Sequence, residues 1–221
     1  MKRDRKRMWS WLTGIAVLAG VFGAQSEAMG YTHNFIDSNR SSVVRNLYVV
    51  QGIEGSFGRF KADGVATSED GFSESVATDA YWKGWGVHSG VGIELFKFLQ
   101  FGIGHTMVNE RNQSNSLEKI SGSRFTGETS LNFASPMGSL MLGGGVVASR
   151  YDYTRRLESA DYYGSGYFYK VGINYFIAPQ VSVYGDLRTS HENLIRNTGT
   201  SMYKSISLDL QTGSAGFAIW L

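Results

Sequence analysis

The sequence predicts an all-β chain, folded as an eight-stranded antiparallel up-and-down transmembrane β-barrel with short periplasmic turns and long extracellular loops. Three observations carry this expectation. Beyond residue 46 the hydrophobic period is two rather than 3.6, which is the period of a pleated strand with two unlike faces. Eight such stretches follow one another, and the links between them are alternately long and tight. The chain of 221 residues holds 28 glycines but only two prolines, and many of those glycines fall inside the alternating stretches. A hydrophobic fraction of 42% without a G-X-Y period excludes disordered and collagen-like chains, and the absence of cysteine excludes a disulfide scaffold.

The first element is a targeting segment. Lys2, Arg3, Arg5, Lys6 and Arg7 precede an apolar run from Trp9 to Phe22, which is shorter than the roughly 20 residues that cross a bilayer as a helix. Ser26-Glu27-Ala28 then offers a small-x-small cleavage site, so residues 1–28 are expected to be a cleaved signal peptide and the protein to be exported. This segment contains five of the 21 basic residues and two of the 19 acidic ones, so the formal charge of +2 becomes −1 once it is removed. A nucleic-acid partner is therefore not expected. Residues 29–46, polar and carrying Asp37, Arg40 and Arg45, read as a periplasmic leader.

Residues 47–221 form the barrel domain, with strands expected at 47–58, 82–95, 98–108, 120–133, 138–150, 163–176, 180–190 and 203–221. In the first, Leu47, Val49, Ile53 and Phe57 oppose Gly52, Glu54, Ser56 and Gly58. The second sets Trp85, Val87, Val91 and Ile93 against four glycines, His88 and Glu94, and the third sets Leu99, Phe101 and Ile103 against Gln100, Gly102 and Gly104. Phe125, Leu131 and Phe133 mark the fourth, Leu140, Leu142 and Val146 the fifth, Tyr167 to Tyr175 the sixth, and Val181, Val183 and Leu187 the seventh. In the eighth, Ile206, Leu208 and Leu210 give way to Phe217, Ile219 and Leu221 in the opposite phase, which predicts a bulge near 213–216. The tight links hold both prolines, Pro136 and Pro179, while 59–81, 109–119, 151–162 and 191–202 are long and polar, the loop asymmetry of an outer-membrane barrel.

Alternation alone does not say which face is inside, and a soluble barrel around a ligand would put the apolar face inward. Three features favour an apolar exterior. The polar face carries both signs of charge, aromatic residues gather near both strand ends, and the chain closes on alternating apolar residues with Trp220 next to last. Burying one sign alone would be costly, so Glu54, Glu94, Glu128, Asp186 and Asp209 are expected to form a lumen network with Arg124, Lys170 and Arg188.

The signal, the hairpin from Gly90 to Gly104 and the final strand Gly216-Phe-Ala-Ile-Trp-Leu221 resemble the small outer-membrane β-barrels of Gram-negative bacteria, the OmpA/OmpX and opacity-protein type. That family's last strand usually ends on an aromatic residue, whereas Leu221 follows Trp220 here. The resemblance implies a monomer in the outer membrane, inserted by the barrel assembly machinery and in contact with outer-membrane lipid and lipopolysaccharide. It implies no single function, because members include adhesins, anchors, small pores and lipid-modifying enzymes.

The expected role is structural or surface-interacting, adhesin- or receptor-like, with a lumen closed by glycines and ion pairs. A narrow ion or small-solute channel is one alternative, since eight strands leave room only for side chains or a thin path. A lipid A deacylase is the other. Its faint likeness lies in Arg188-Thr-Ser-His-Glu-Asn193, where His191 would be the base, Ser190 the nucleophile and Glu192 the orienting acid. Sequence neighbours on a strand face opposite ways, and Asn193 stands where the deacylases have serine. His33, His88 and His105 lack metal-ligand spacing, and the acidic stretch Asp63, Glu69, Asp70, Glu74 and Asp79 fits no calcium loop, so neither metal nor cofactor is expected.

Overall fold

A computed structural model describes residues 47–67, 73–95, 98–134, 138–155, 158–178, 180–200 and 203–221. The expected signal peptide, the leader and both prolines lie outside them. Eight antiparallel strands close into a barrel in which each pairs with its sequence neighbours and β8 pairs with β1. They are β1 (Leu47–Thr67), β2 (Ser73–Leu95), β3 (Leu99–Asn112), β4 (Glu118–Ala134), β5 (Gly138–Arg155), β6 (Glu158–Ala178), β7 (Val181–Gly199) and β8 (Tyr203–Trp220).

The register fixes the barrel's shape. A ladder row leaving β2 at Leu95 passes Leu99, Leu131, Leu142, Val171, Leu187, Gly213 and Gly55, and returns to β2 at Trp85, ten residues along the strand. Eight strands with that stagger tilt by about 40° from the barrel axis.

On the turn-side half the outer face is apolar. Ile53, Trp85, Ile103, Met107, Phe125, Val146, Tyr169 and Phe217 are all more than half exposed, and they belong to seven different strands. An apolar ring of this size has no stable place in water. It runs for about ten residues along each strand, which at the tilt above gives a band about 25 Å tall, the thickness of a bilayer core. This half of the barrel spans a membrane.

The strands continue well past the band. β1 and β2 have 21 and 23 residues, about twice what the crossing needs. Most of the four segments expected as long polar loops is therefore β-ribbon, a crown standing beyond the membrane. In Arg59-Phe60-Lys61-Ala62-Asp63 the alternation persists, but its sense is reversed: the polar residues are exposed and Phe60 and Ala62 are buried at 1%. A chain leaving lipid for water must exchange its faces without losing its pleat.

The same exchange replaces the expected bulge in β8. Pairing of β8 with β7 runs without a shift from Ser205 to Ile219, so Leu208 and Leu210 point inward and Phe217 and Ile219 outward on a regular strand. Register shifts occur instead at Asp63/Gly64, Asp161/Tyr162 and Phe176/Ala178.

Candidate functional site: a layered, filled lumen

The interior has three layers, each built from the inward-facing positions of several strands. Nearest the turns, Glu94 accepts hydrogen bonds from Gln100 Nε2 at 2.8 Å and Asn132 Nδ2 at 2.6 Å. Trp220 donates through Nε1 to Ser182 Oγ at 2.9 Å, and its ring centroid lies 4.9 Å from that of Tyr48. Glu94 is thus held by amides and stands apart from the lumen cations, contrary to the expected network. Its strand-end position puts it beyond their reach.

The second layer contains two ion clusters. Lys170 Nζ donates to Glu128 Oε1 at 2.6 Å, with Arg188 at 4.0 Å from the other carboxylate oxygen and 4.5 Å from the Phe168 ring centroid. Asp186 lies on the same inner face of β7, two residues from Arg188. His88 shares a 3.0 Å hydrogen bond with Thr106 Oγ1.

The larger cluster surrounds Arg124, which is 5% exposed. Its NH1 donates to Glu54 Oε1 at 2.9 Å, its NH2 to Glu110, and its Nε to Tyr151 Oη at 2.6 Å, with Glu192 Oε1 at 3.1 Å. Glu192 also accepts from Ser149 Oγ at 2.5 Å and Tyr151 Oη at 3.0 Å, while Ser56 donates to Glu110 at 3.1 Å. One guanidinium thereby ties together five strands, β1, β3, β4, β5 and β7.

The third layer, inside the crown, is an apolar core. Phe60, Trp82, Tyr153, Tyr162 and Tyr203 are between 0% and 3% exposed and pack with Ile120, Leu194, Ile206, Leu208 and Leu210. Phe60 stacks on Trp82 with centroids 4.8 Å apart, and Tyr153 meets Tyr162 and Tyr203 edge-on at 6.1 and 5.9 Å. Tyr162 Oη donates to the Tyr203 carbonyl at 2.8 Å. Phe60, Trp82, Tyr153 and Tyr162, expected among the aromatics at the membrane interface, instead fill the barrel's outer end, because they lie in the stretch where apolar residues turn inward.

Glu54, Glu128, Asp186, Arg124, Lys170 and Arg188 all lie inside the barrel. Asp209 does not. It stands on the outer face of the crown, with His191 Nδ1 2.6 Å from its Oδ1, because β8 has already exchanged its faces at that height. Glu110 and Glu192 take its place in the network. Glu110 escaped the sequence reading because it falls in an expected loop, although Val108-Asn109-Glu110-Arg111-Asn112 continues the alternation of the strand before it. Ser190 and Glu192 are buried in the lumen, whereas His191 faces outward beside Tyr167 and Asp209. The Ser190–His191–Glu192 arrangement of the deacylase alternative is therefore not assembled. No cluster of His, Asp and Glu with metal-binding geometry occurs among the described residues.

An all-antiparallel closed barrel with a lipid-facing belt, a charged lumen and short turns at one end is a transmembrane β-barrel of the outer-membrane type. OprG of Pseudomonas aeruginosa has a similar fold, with 8% sequence identity and a TM-score of 0.53 over 80% of this chain and 96% of that one. Neisserial surface protein A is 16% identical with a TM-score of 0.42, over 77% of this chain and 96% of that one. The outer-membrane protease OmpT of Escherichia coli is 11% identical with a TM-score of 0.45, over 82% and 99%. No protein-family model and no curated protein sequence matches the chain.

Proposed function

We propose that the protein is a closed outer-membrane barrel with a structural or surface-interaction role, holding a rigid β-ribbon crown outside the cell. The observation that carries this reading is the apolar layer of Phe60, Trp82, Tyr153, Tyr162 and Tyr203, packed across the crown above the Arg124 cluster. A conducting path needs continuous polar space, and this layer interrupts it. The crown's outward residues, among them Arg59, Lys61, Asp79 and Lys83, are polar and exposed, as a surface presented to water or to a partner requires. Strand-built walls fix those side chains in place, which lowers the entropy lost when a partner binds.

Planar-bilayer recording tests this reading. The wild-type barrel is expected to be silent, and replacing Phe60, Trp82 and Tyr153 together with glycine is expected to produce small, steady currents. A steady wild-type conductance would overturn the closed-barrel reading and favour the narrow channel.

A further inference from the structure

The outer face of the crown carries its charges in two unlike ways. Around β7, β8, β1 and β2 some are paired: His191 with Asp209, and Arg59 with Asp79, to which Arg59 Nε donates at 2.6 Å. Across β2, β3 and β4 they are not. Lys83 stands opposite Arg111, and Arg111 opposite Lys119, three exposed cations in direct ladder register. None of them makes an ion pair among the described residues. Like charges set opposite each other destabilise a sheet, so this row needs a compensating anion.

Arg150 of β5 extends the row into an arc; it stands opposite Ser123, its guanidinium 5.3 Å from the Tyr163 ring centroid. The nearest carboxylate, Asp152, is turned to Asp161 of β6, which also accepts from Thr198 at 3.1 Å. Burial and its hydrogen bond with Asp161 hold the Asp152 carboxyl above the ordinary range. Asp152 faces outward between Lys119 and Arg150, and the Arg150 charge draws its carboxyl the other way, so this carboxylate beside the arc acts on Arg150 and leaves the Lys83, Arg111 and Lys119 row without an ion-pair partner among the described residues.

Beneath Arg111 and Lys119, Asn109 stands opposite Ser121, whose partner on the other side is Asp152 of β5. Closer to the membrane on the same strands come Trp85, Met107 and Phe125, exposed by 63%, 64% and 58%. From water inward the order is cation, then amide and hydroxyl, then hydrocarbon. That is the order of phosphate, sugar and acyl chain in a phosphorylated glycolipid.

We propose that Lys83, Arg111, Lys119 and Arg150 form a binding site for the phosphoryl groups of an anionic glycolipid of the outer leaflet, whose acyl chains lie along Trp85, Met107 and Phe125. The proposal rests on the reading of the protein as an outer-membrane barrel. Adjacent strands are about 4.8 Å apart, so Lys83 and Lys119 are about 10 Å apart and one headgroup reaches both. Trp85, Met107 and Phe125 belong to the membrane-facing belt, so the cations just above them stand at the height of lipid headgroups, where an anionic glycolipid presents its phosphates and a soluble anion has no anchor.

The test is native mass spectrometry of the barrel in phosphatidylcholine nanodiscs doped with bisphosphorylated lipid A or with its dephosphorylated form. Wild type is expected to retain the phosphorylated lipid selectively, and high salt should weaken that retention. Changing all four cations to glutamine should lower it by at least about tenfold, whereas Arg59→Gln with Asp79→Asn, on the paired side, should leave it unchanged. Each variant is first checked for the gel shift of a folded barrel. Should the fourfold variant not fold, the wild-type comparison of the two lipids decides alone. Equal retention of the two lipids by folded wild type, or undiminished retention by the folded fourfold variant, would overturn the site. Failure of wild type to insert at all would instead overturn the membrane-barrel reading beneath it.

Discussion

Arg124 is the residue on which most of the interior polar bonding converges. It sits between three glutamates and a tyrosine on four other strands, and its charge-assisted bonds compensate their desolvation. Arg124→Met would keep much of the volume and leave Glu54, Glu110 and Glu192 facing one another without a cation. Breaking a buried pair on one side costs about 3–5 kcal/mol. Urea unfolding of the refolded barrel is expected to show a loss of that order, and a loss below about 1 kcal/mol would mean that the cluster is not what holds the mid-lumen together. Glu54, Glu128, Lys170 and Arg188 were legible in the sequence because each interrupts the polar side of a clear alternation within the membrane. Glu110 and Asp209 were not, because both lie where the outer face has become polar, and there a charge no longer indicates the inside.

At the scale of the strand, β1 contains both kinds of glycine. A Cβ at Gly58 would collide with the Asp209 carbonyl and the Leu210 backbone, and one at Gly55 would meet nothing within 4 Å. Gly58 faces the crowded lumen of a small barrel, and Gly55 faces lipid. Gly58→Ala is therefore expected to destabilise by about 1–3 kcal/mol through overpacking, and Gly55→Ala to be neutral or stabilising by up to about 1 kcal/mol. Chemical unfolding of the two variants checks this, and equal effects would contradict the assignment of faces. The inward placement of strand glycines was legible from the period of two. The strand lengths were not, because Arg59 to Asp63 or Asn109 to Asn112 reads as a polar loop when apolar residues are assumed to face outward throughout.

At the scale of the whole molecule, the barrel is two environments joined on continuous strands. Below the exchange point it is apolar outside and ionic inside, and above it is polar outside and apolar inside. Closure, pairing order and the membrane-facing rows were readable from alternation and link lengths. The exchange point was not, because a pattern of period two is identical for both senses and only the change of solvent distinguishes them. Since the chain has no cysteine, single cysteines report on this directly. Spin labels at Ile53, Ile103 and Leu187 should be relaxed by oxygen dissolved in the bilayer, and labels at Lys61, Lys83 and Ser207 by a water-soluble nickel complex. Leu208, next to Ser207 but inside the crown core, should be shielded from both. Nickel access at Ile53, Ile103 and Leu187, or oxygen-dominated relaxation at Lys61, Lys83 and Ser207, would contradict a barrel that exchanges its faces at the membrane's outer edge.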